Sequence, residues 1–219
     1  MRRLDLGLLV ATVATVATGA VNANADELRG RFVRVGVARV SPDPNHVVAS
    51  LNGVPVPGAS FNAETEYGIA AEVGIYLFNS PVSLSLSVTS PVTTANIGTG
   101  AFAATPELGA DSFMLGALTA NYHFNREGRI SPYFGGGLGY FYPTGSLDGV
   151  VTDLHIGGAY GSVLQAGADF NATDSWGAFV DVKQFRIDID ATGIAFGESL
   201  VANAAIDPLV VSLGMSHRF

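Results

Sequence analysis

The 219-residue chain contains no cysteine, which rules out disulfides, thiolate metal sites and cysteine nucleophiles. Charge is scarce as well: Asp, Glu, Lys and Arg make up 14% of the residues, against about 25% in an ordinary soluble domain. Past the N-terminal segment, no apolar run reaches the ~18 residues that a membrane-crossing helix needs, which argues against a helical membrane protein. The formal charge is −8 and the sequence has no basic stripe, so nucleic acid is not an expected partner. What remains is a chain that is 48% hydrophobic yet has no long hydrophobic segments. A transmembrane β-barrel has that composition, because lipid-facing and lumen-facing residues alternate and dilute each other. The 27 glycines suit tight turns, close strand packing and a narrow interior.

The first segment reads as an address. Met1-Arg2-Arg3 is a basic start, Leu6 to Val21 an apolar stretch, and Ala23-Asn24-Ala25 a small-residue cleavage site. Residues 1–25 are therefore expected to be a cleaved signal peptide, with 26–219 forming one barrel domain that begins at Asp26.

Strand periodicity runs through the rest. Leu209, Val211, Leu213 and Met215 alternate with Val210, Ser212, Gly214 and Ser216, a period of two that a helix would scatter around its axis. The same alternation recurs around Trp176–Lys183, Val163–Phe170, Phe134–Tyr142 with its glycine column, Leu118–Phe124, Ser83–Thr89, Gly68–Leu77 and Val33–Ala38. That makes eight strands, and the fold expected is an all-β, eight-stranded antiparallel up-and-down transmembrane barrel. Links alternate in length. Short ones fall at Asn79–Pro81, Asn125–Pro132 and Asn171–Ser175; long ones run over about Ser41–Thr65, Pro91–Asp111, Pro143–Tyr160 and Asp188–Asp207. Short turns on one side and long loops on the other place the turns and both termini in the periplasm of a bacterium and the loops outside. Tyr122, Phe124, Phe134, Phe170, Trp176 and Phe219 then form a periplasmic aromatic girdle. A soluble lipocalin-like barrel or a sandwich would need a charged outer face, whereas the non-apolar face here is mostly Gly, Ser, Thr and Ala.

Several segments carry a family resemblance. They include Phe32-Val33-Arg34-Val35-Gly36-Val37 with Ser41-Pro42, Thr89-Ser90-Pro91 through Asn96-Ile97-Gly98-Thr99-Gly100, and Pro132-Tyr133-Phe134-Gly135-Gly136-Gly137. Further ones are Gln165–Phe170, Asp188–Thr192 and Asp207-Pro208 leading into the last strand. In this order over the whole mature chain, they resemble the OmpW family, which includes alkane-uptake outer-membrane porins. The resemblance implies a small monomeric barrel with a hydrophobic interior and passive uptake of small hydrophobic molecules. The terminal Phe219, with apolar residues at alternate positions before it, resembles the signal by which the barrel-assembly machinery recognises its clients.

Two inward-facing layers are candidates for function. The outer halves of the strands supply Phe113, Leu115, Phe141, Val163, Phe185 and Val210, a hydrophobic ligand site or a packed core, since the two share a composition. The inner halves supply Arg34, Glu72, Asn121, Gln165, Asp169, Asp181 and Lys183. In so narrow a space they are most simply a polar plug, or else a proton or ion path. Lys183 is expected to pair with Asp181, Asp169 or Glu72. Val47, Val48, Leu51, Val54 and Val56 make the first loop unusually apolar, a candidate funnel. No catalytic, metal or cofactor constellation stands out: His46, His123, His155 and His217 lie in different elements. Two further readings are a structural barrel or adhesin without transport, and a lipid-modifying barrel enzyme, for which His155 with Ser146 is the available pair.

Overall fold

A computed structural model describes residues 30–78, 80–104 and 108–219. The expected signal peptide, its cleavage site and Asp26 lie outside the described residues, as does Asn79 of the first short link. In chain order the strands are β1 (Arg31–Ser41), β2 (Pro44–Leu51), β3 (Val54–Val56), β4 (Ala59–Ala63), β5 (Glu66–Tyr76), β6 (Val82–Thr89) and β7 (Val92–Gly100). There follow β8 (Gly109–His123), β9 (Ile130–Asp148), β10 (Val151–Ile156), β11 (Ala159–Asn171), β12 (Trp176–Ala195), β13 (Glu198–Ile206) and β14 (Leu209–Arg218).

Eight of these close into a barrel, each antiparallel to its neighbours, in the order β1, β5, β6, β8, β9, β11, β12, β14 and back to β1. The closing register sets Arg34 opposite Ser216 and Val37 opposite Leu213. Closure leaves no backbone edge facing lipid, which is the condition for a sheet to cross a membrane. The alternation in the sequence becomes two faces. Val37, Ile69, Leu138, Leu213 and Met215 point outward, and Val37 is 64% exposed; an apolar band of this kind is stable against lipid rather than water. Arg34, Glu72, Asn121, Gln165 and Asp181 point inward and are buried. Tyr122, Phe124, Phe134, Phe170 and Trp176 are exposed near the short-turn end. There the chain ends meet: the Gly30 amide donates to the Phe219 carbonyl at 3.3 Å, and the Phe219 amide to the Arg31 carbonyl at 3.0 Å.

The long connections differ from the sequence-based expectation. Much of their length is β-structure. Strands β9 and β12 run to 19 and 20 residues, about twice the 9–11 a membrane crossing needs. Their far ends carry a second tier in which β12 pairs with β13 and β10, β13 with β2, and β8 with β7. The turns that build it are local chemistry. Asn52-Gly53, with φ of 48° and 79°, joins β2 to β3, and Phe196-Gly197, with φ of 55° and 79°, joins β12 to β13. Two adjacent positive φ values are the mark of a type I′ turn, whose twist matches that of the strands it connects.

Candidate functional site

The inward column of each strand gives the interior its vertical order. On β12 it reads Phe179, Asp181, Lys183, Phe185, Ile187, Ile189 from the short-turn end outward; on β8 it reads His123, Asn121, Thr119, Ala117, Leu115, Phe113, Asp111. Charge therefore gives way to hydrocarbon part-way up.

The lower layer joins all seven residues expected there. Arg34 grips Asp169 with two parallel bonds, Nε to Oδ1 at 2.9 Å and Nη2 to Oδ2 at 2.6 Å, while its Nη1 donates to Glu72 Oε1 at 2.6 Å. Lys183 Nζ donates to Glu72 Oε2 at 2.8 Å and to Asp181 Oδ1 at 2.6 Å. Of the three carboxylates considered for Lys183, two are its partners, and the third, Asp169, is taken by Arg34 from β1. Gln165 Nε2 bridges Glu72 and Asp181, and its carbonyl accepts from Thr119 at 2.6 Å and Asn121 at 3.0 Å. Three carboxylates face two cations here, so neutral donors matter. The Tyr133 hydroxyl donates to Asp181 Oδ2 at 2.8 Å. Each ion alone would cost several kcal/mol to bury, and the hydrogen bonds to every oxygen of Glu72, Asp169 and Asp181 are what make the cluster tolerable.

Aromatic rings sheathe the guanidinium, a role the sequence-based list lacks. Arg34 Cζ lies 4.5 Å from the ring centroids of both Phe32 and Tyr133, within cation–π range. Below, His123 touches Tyr76 and Tyr133 through its ring and bonds Ser83 through Nε2 at 3.0 Å.

Above the charges lies a dry layer. Leu115, Val163, Phe185 and Val210 are each at most 2% exposed and pack with Ala38, Val40 and Ile187. Phe113 and Phe141 stack at 5.0 Å one level higher. The six residues expected in the upper lumen thus divide: four form a packed floor, and Phe113 and Phe141 belong also to the wall of an open-mouthed cavity above it. The cavity measures about 970 Å³, counting the space at its mouth. Most of its wall comes from the second tier, with Val47, Ala49, Leu200, Ala204 and Ile206 among the apolar contributors. Of these the sequence singles out only Val47, because its pattern in these segments reads as loop. The apolar first loop is explained only in part: Val47 faces the cavity and Leu51 and Val56 pack beside it, whereas Val48 and Val54 point outward, 63% and 66% exposed. Strand alternation, which a loop reading ignores, splits the five valine and leucine positions between the two faces.

Ser146 and His155 are not joined by a hydrogen bond. Both border a shallow cleft, but the Ser146 hydroxyl donates to the Leu154 carbonyl at 2.9 Å. Among the described residues no group of His, Asp and Glu could hold a metal ion.

Comparison with known proteins agrees with this architecture. The crystal structure of the outer membrane protein OprG from Pseudomonas aeruginosa superposes with a TM-score of 0.80 at 18% identity, covering 87% of this chain and 96% of that one. In sequence, the dibenzothiophene metabolism operon protein PahQ of Pseudomonas aeruginosa is 27% identical over 186 residues, 85% of this chain and 87% of the relative. The outer membrane protein AlkL of Ectopseudomonas oleovorans is 21% identical over 170 residues, 78% of this chain and 74% of the relative. The OmpW family model matches residues 29–219. A closed eight-stranded barrel with that match over nearly the whole described chain belongs to the OmpW family of bacterial outer-membrane proteins.

Proposed function

We propose that this barrel takes up small hydrophobic molecules passively across the outer membrane. The observation that carries the reading is the apolar cavity seated on a packed floor, with a buried ion network beneath it. An apolar lining rewards removal of an apolar solute from water. The relationship to a protein of a dibenzothiophene metabolism operon supports the same direction, dibenzothiophene being a flat, apolar molecule.

In this reading the second tier is extracellular and both termini are periplasmic, as short turns at one end and long extensions at the other suggest for an outer-membrane barrel. Cargo enters from outside and cannot pass down the axis, because the floor and the ion network leave it no apolar path. It leaves sideways between strands into the lipid. Residues 1–25 serve as the export signal, Phe219 as the mark read by the assembly machinery, and the folded barrel works as a monomer. The Arg34–Glu72–Lys183 layer acts as a structural plug.

Filling the cavity tests the reading. Ala204 is 5% exposed in its wall, and Ala204→Phe projects a ring into the space. In vesicles with a lipopolysaccharide outer leaflet, the folded variant should carry an apolar solute such as naphthalene several-fold more slowly than the parent. Equal flux through both, with the ring shown by NMR to occupy the cavity, would leave the structural-barrel reading in its place.

A further inference from the structure

The cavity holds a polar feature that uptake of pure hydrocarbons does not use. Asp111 stands in its wall, 8% exposed, and its Oδ2 accepts a 2.5 Å bond from Asn96 Nδ2. Its Oδ1 has no protein partner. A buried oxygen left unpaired is costly, and such exceptions call for an explanation. Among the described residues no Lys, Arg or His lines this cavity. On its other side Asp111 borders the cleft that contains Thr144, Ser146 and His155.

We propose that Asp111 is the hydrogen-bond acceptor through which the cavity favours apolar molecules bearing one hydroxyl group. This rests on the uptake reading above and narrows its substrate class. Asp111 lies two residues beyond Phe113 on the inward column of β8, roughly 7 Å along the strand. A ring system resting on the Phe113–Phe141 stack therefore reaches Asp111 with a substituent at its far edge. A neutral hydroxyl satisfies the unpaired oxygen with one donor and keeps the rest of the molecule apolar.

The test titrates naphthalene and 1-naphthol into the isotope-labelled, folded barrel in lipid nanodiscs, following the amide resonances of residues 94–113 by NMR. The ratio of the two affinities, compared between variants, cancels partition into lipid. The parent should favour 1-naphthol over naphthalene at least tenfold more than Asp111→Leu does, the effect of losing one hydrogen bond to a carboxylate. Asp111→Asn keeps an acceptor and should fall between them, and it decides the matter if the leucine variant does not fold. An unchanged ratio in Asp111→Leu, or in Asp111→Asn should that be the folded variant, overturns hydroxyl selection while naphthalene binding keeps the uptake reading. No shift with either solute in the parent overturns both.

Discussion

Replacing Lys183 with Met removes one of two cations from a layer that holds three carboxylates, and the structure assigns the damage to particular partners. Glu72 keeps its 2.6 Å bond from Arg34 but loses the 2.8 Å bond from Lys183; Asp181 loses its sole cationic partner and keeps the donors of Tyr133 and Gln165. Breaking a buried ion pair from one side costs about 3–5 kcal/mol. The loss in Lys183→Met should reach that range, because the orphaned charges lie between a packed floor and a ring of aromatics with little water to replace the ammonium. A thermodynamic cycle makes the assignment specific. Asp181→Asn and Glu72→Gln should each couple to Lys183→Met by about 1–3 kcal/mol, the range for groups sharing one network. Asp169→Asn should couple less, since both of its oxygens are held by Arg34. Urea unfolding in lipid vesicles, read from the fluorescence of the single tryptophan, Trp176, which lies exposed on the lipid face, gives the free energies. Additivity with both Glu72 and Asp181, or a coupling that is largest for Asp169, would refute the pairing.

Four other outcomes are expected. Phe185→Asp puts a carboxylate into the apolar floor above the three already buried but leaves the lipid face intact, so the barrel should still assemble, destabilised; Val180→Asp on the outward face of β12 should reduce folded yield instead, as heat-modifiable gel migration would show. A Cβ at Gly137 would land on the Leu118 carbonyl oxygen of the neighbouring strand, whereas none would meet anything at Gly145; Gly137→Ala should lower the folded fraction and Gly145→Ala leave it unchanged on the same gel. Deleting Phe219 removes the amide bonded to the Arg31 carbonyl and the ring set edge-on 4.5 Å from His217. It should cut assembled protein in the outer membrane several-fold without reducing export, and a normal yield would count against the terminal signal. Intact mass of the protein from outer membranes should begin at Asp26, and retention of residues 1–25 would reject the cleavage site.

How much of this was legible beforehand varies with the distance between partners. The eight staves follow from alternation because each buries one face in itself, so a period of two in the sequence is enough. The ion layer was legible for the same reason: Arg34, Glu72, Asp169, Asp181 and Lys183 break an otherwise small, neutral inward column. Which pairs form was not, since it depends on the registers of strands far apart in the chain, as with Arg34 and Asp169, 135 residues apart. The second tier escaped because its strands are short and paired with partners distant in the chain, such as β2 with β13. One signal could have exposed part of it: Asn52-Gly53 between Leu51 and Val54 is among the strongest local hairpin motifs. Tyr133 and Phe32 escaped because Phe134 and Val33, their outward neighbours, set the phase by which those strands were read. The cavity wall, built from alanines and valines of that tier, carried no composition that separates it from an ordinary core.

The proposed uptake requires a path for apolar molecules in a barrel sealed to ions, and both halves are measurable on one sample. Vesicles with a lipopolysaccharide outer leaflet, holding the folded protein, should admit naphthalene faster than protein-free vesicles while showing no ionic conductance above that of the bare membrane. Naphthalene entry no faster than in protein-free vesicles, or steady ion conductance through the folded barrel, would contradict it.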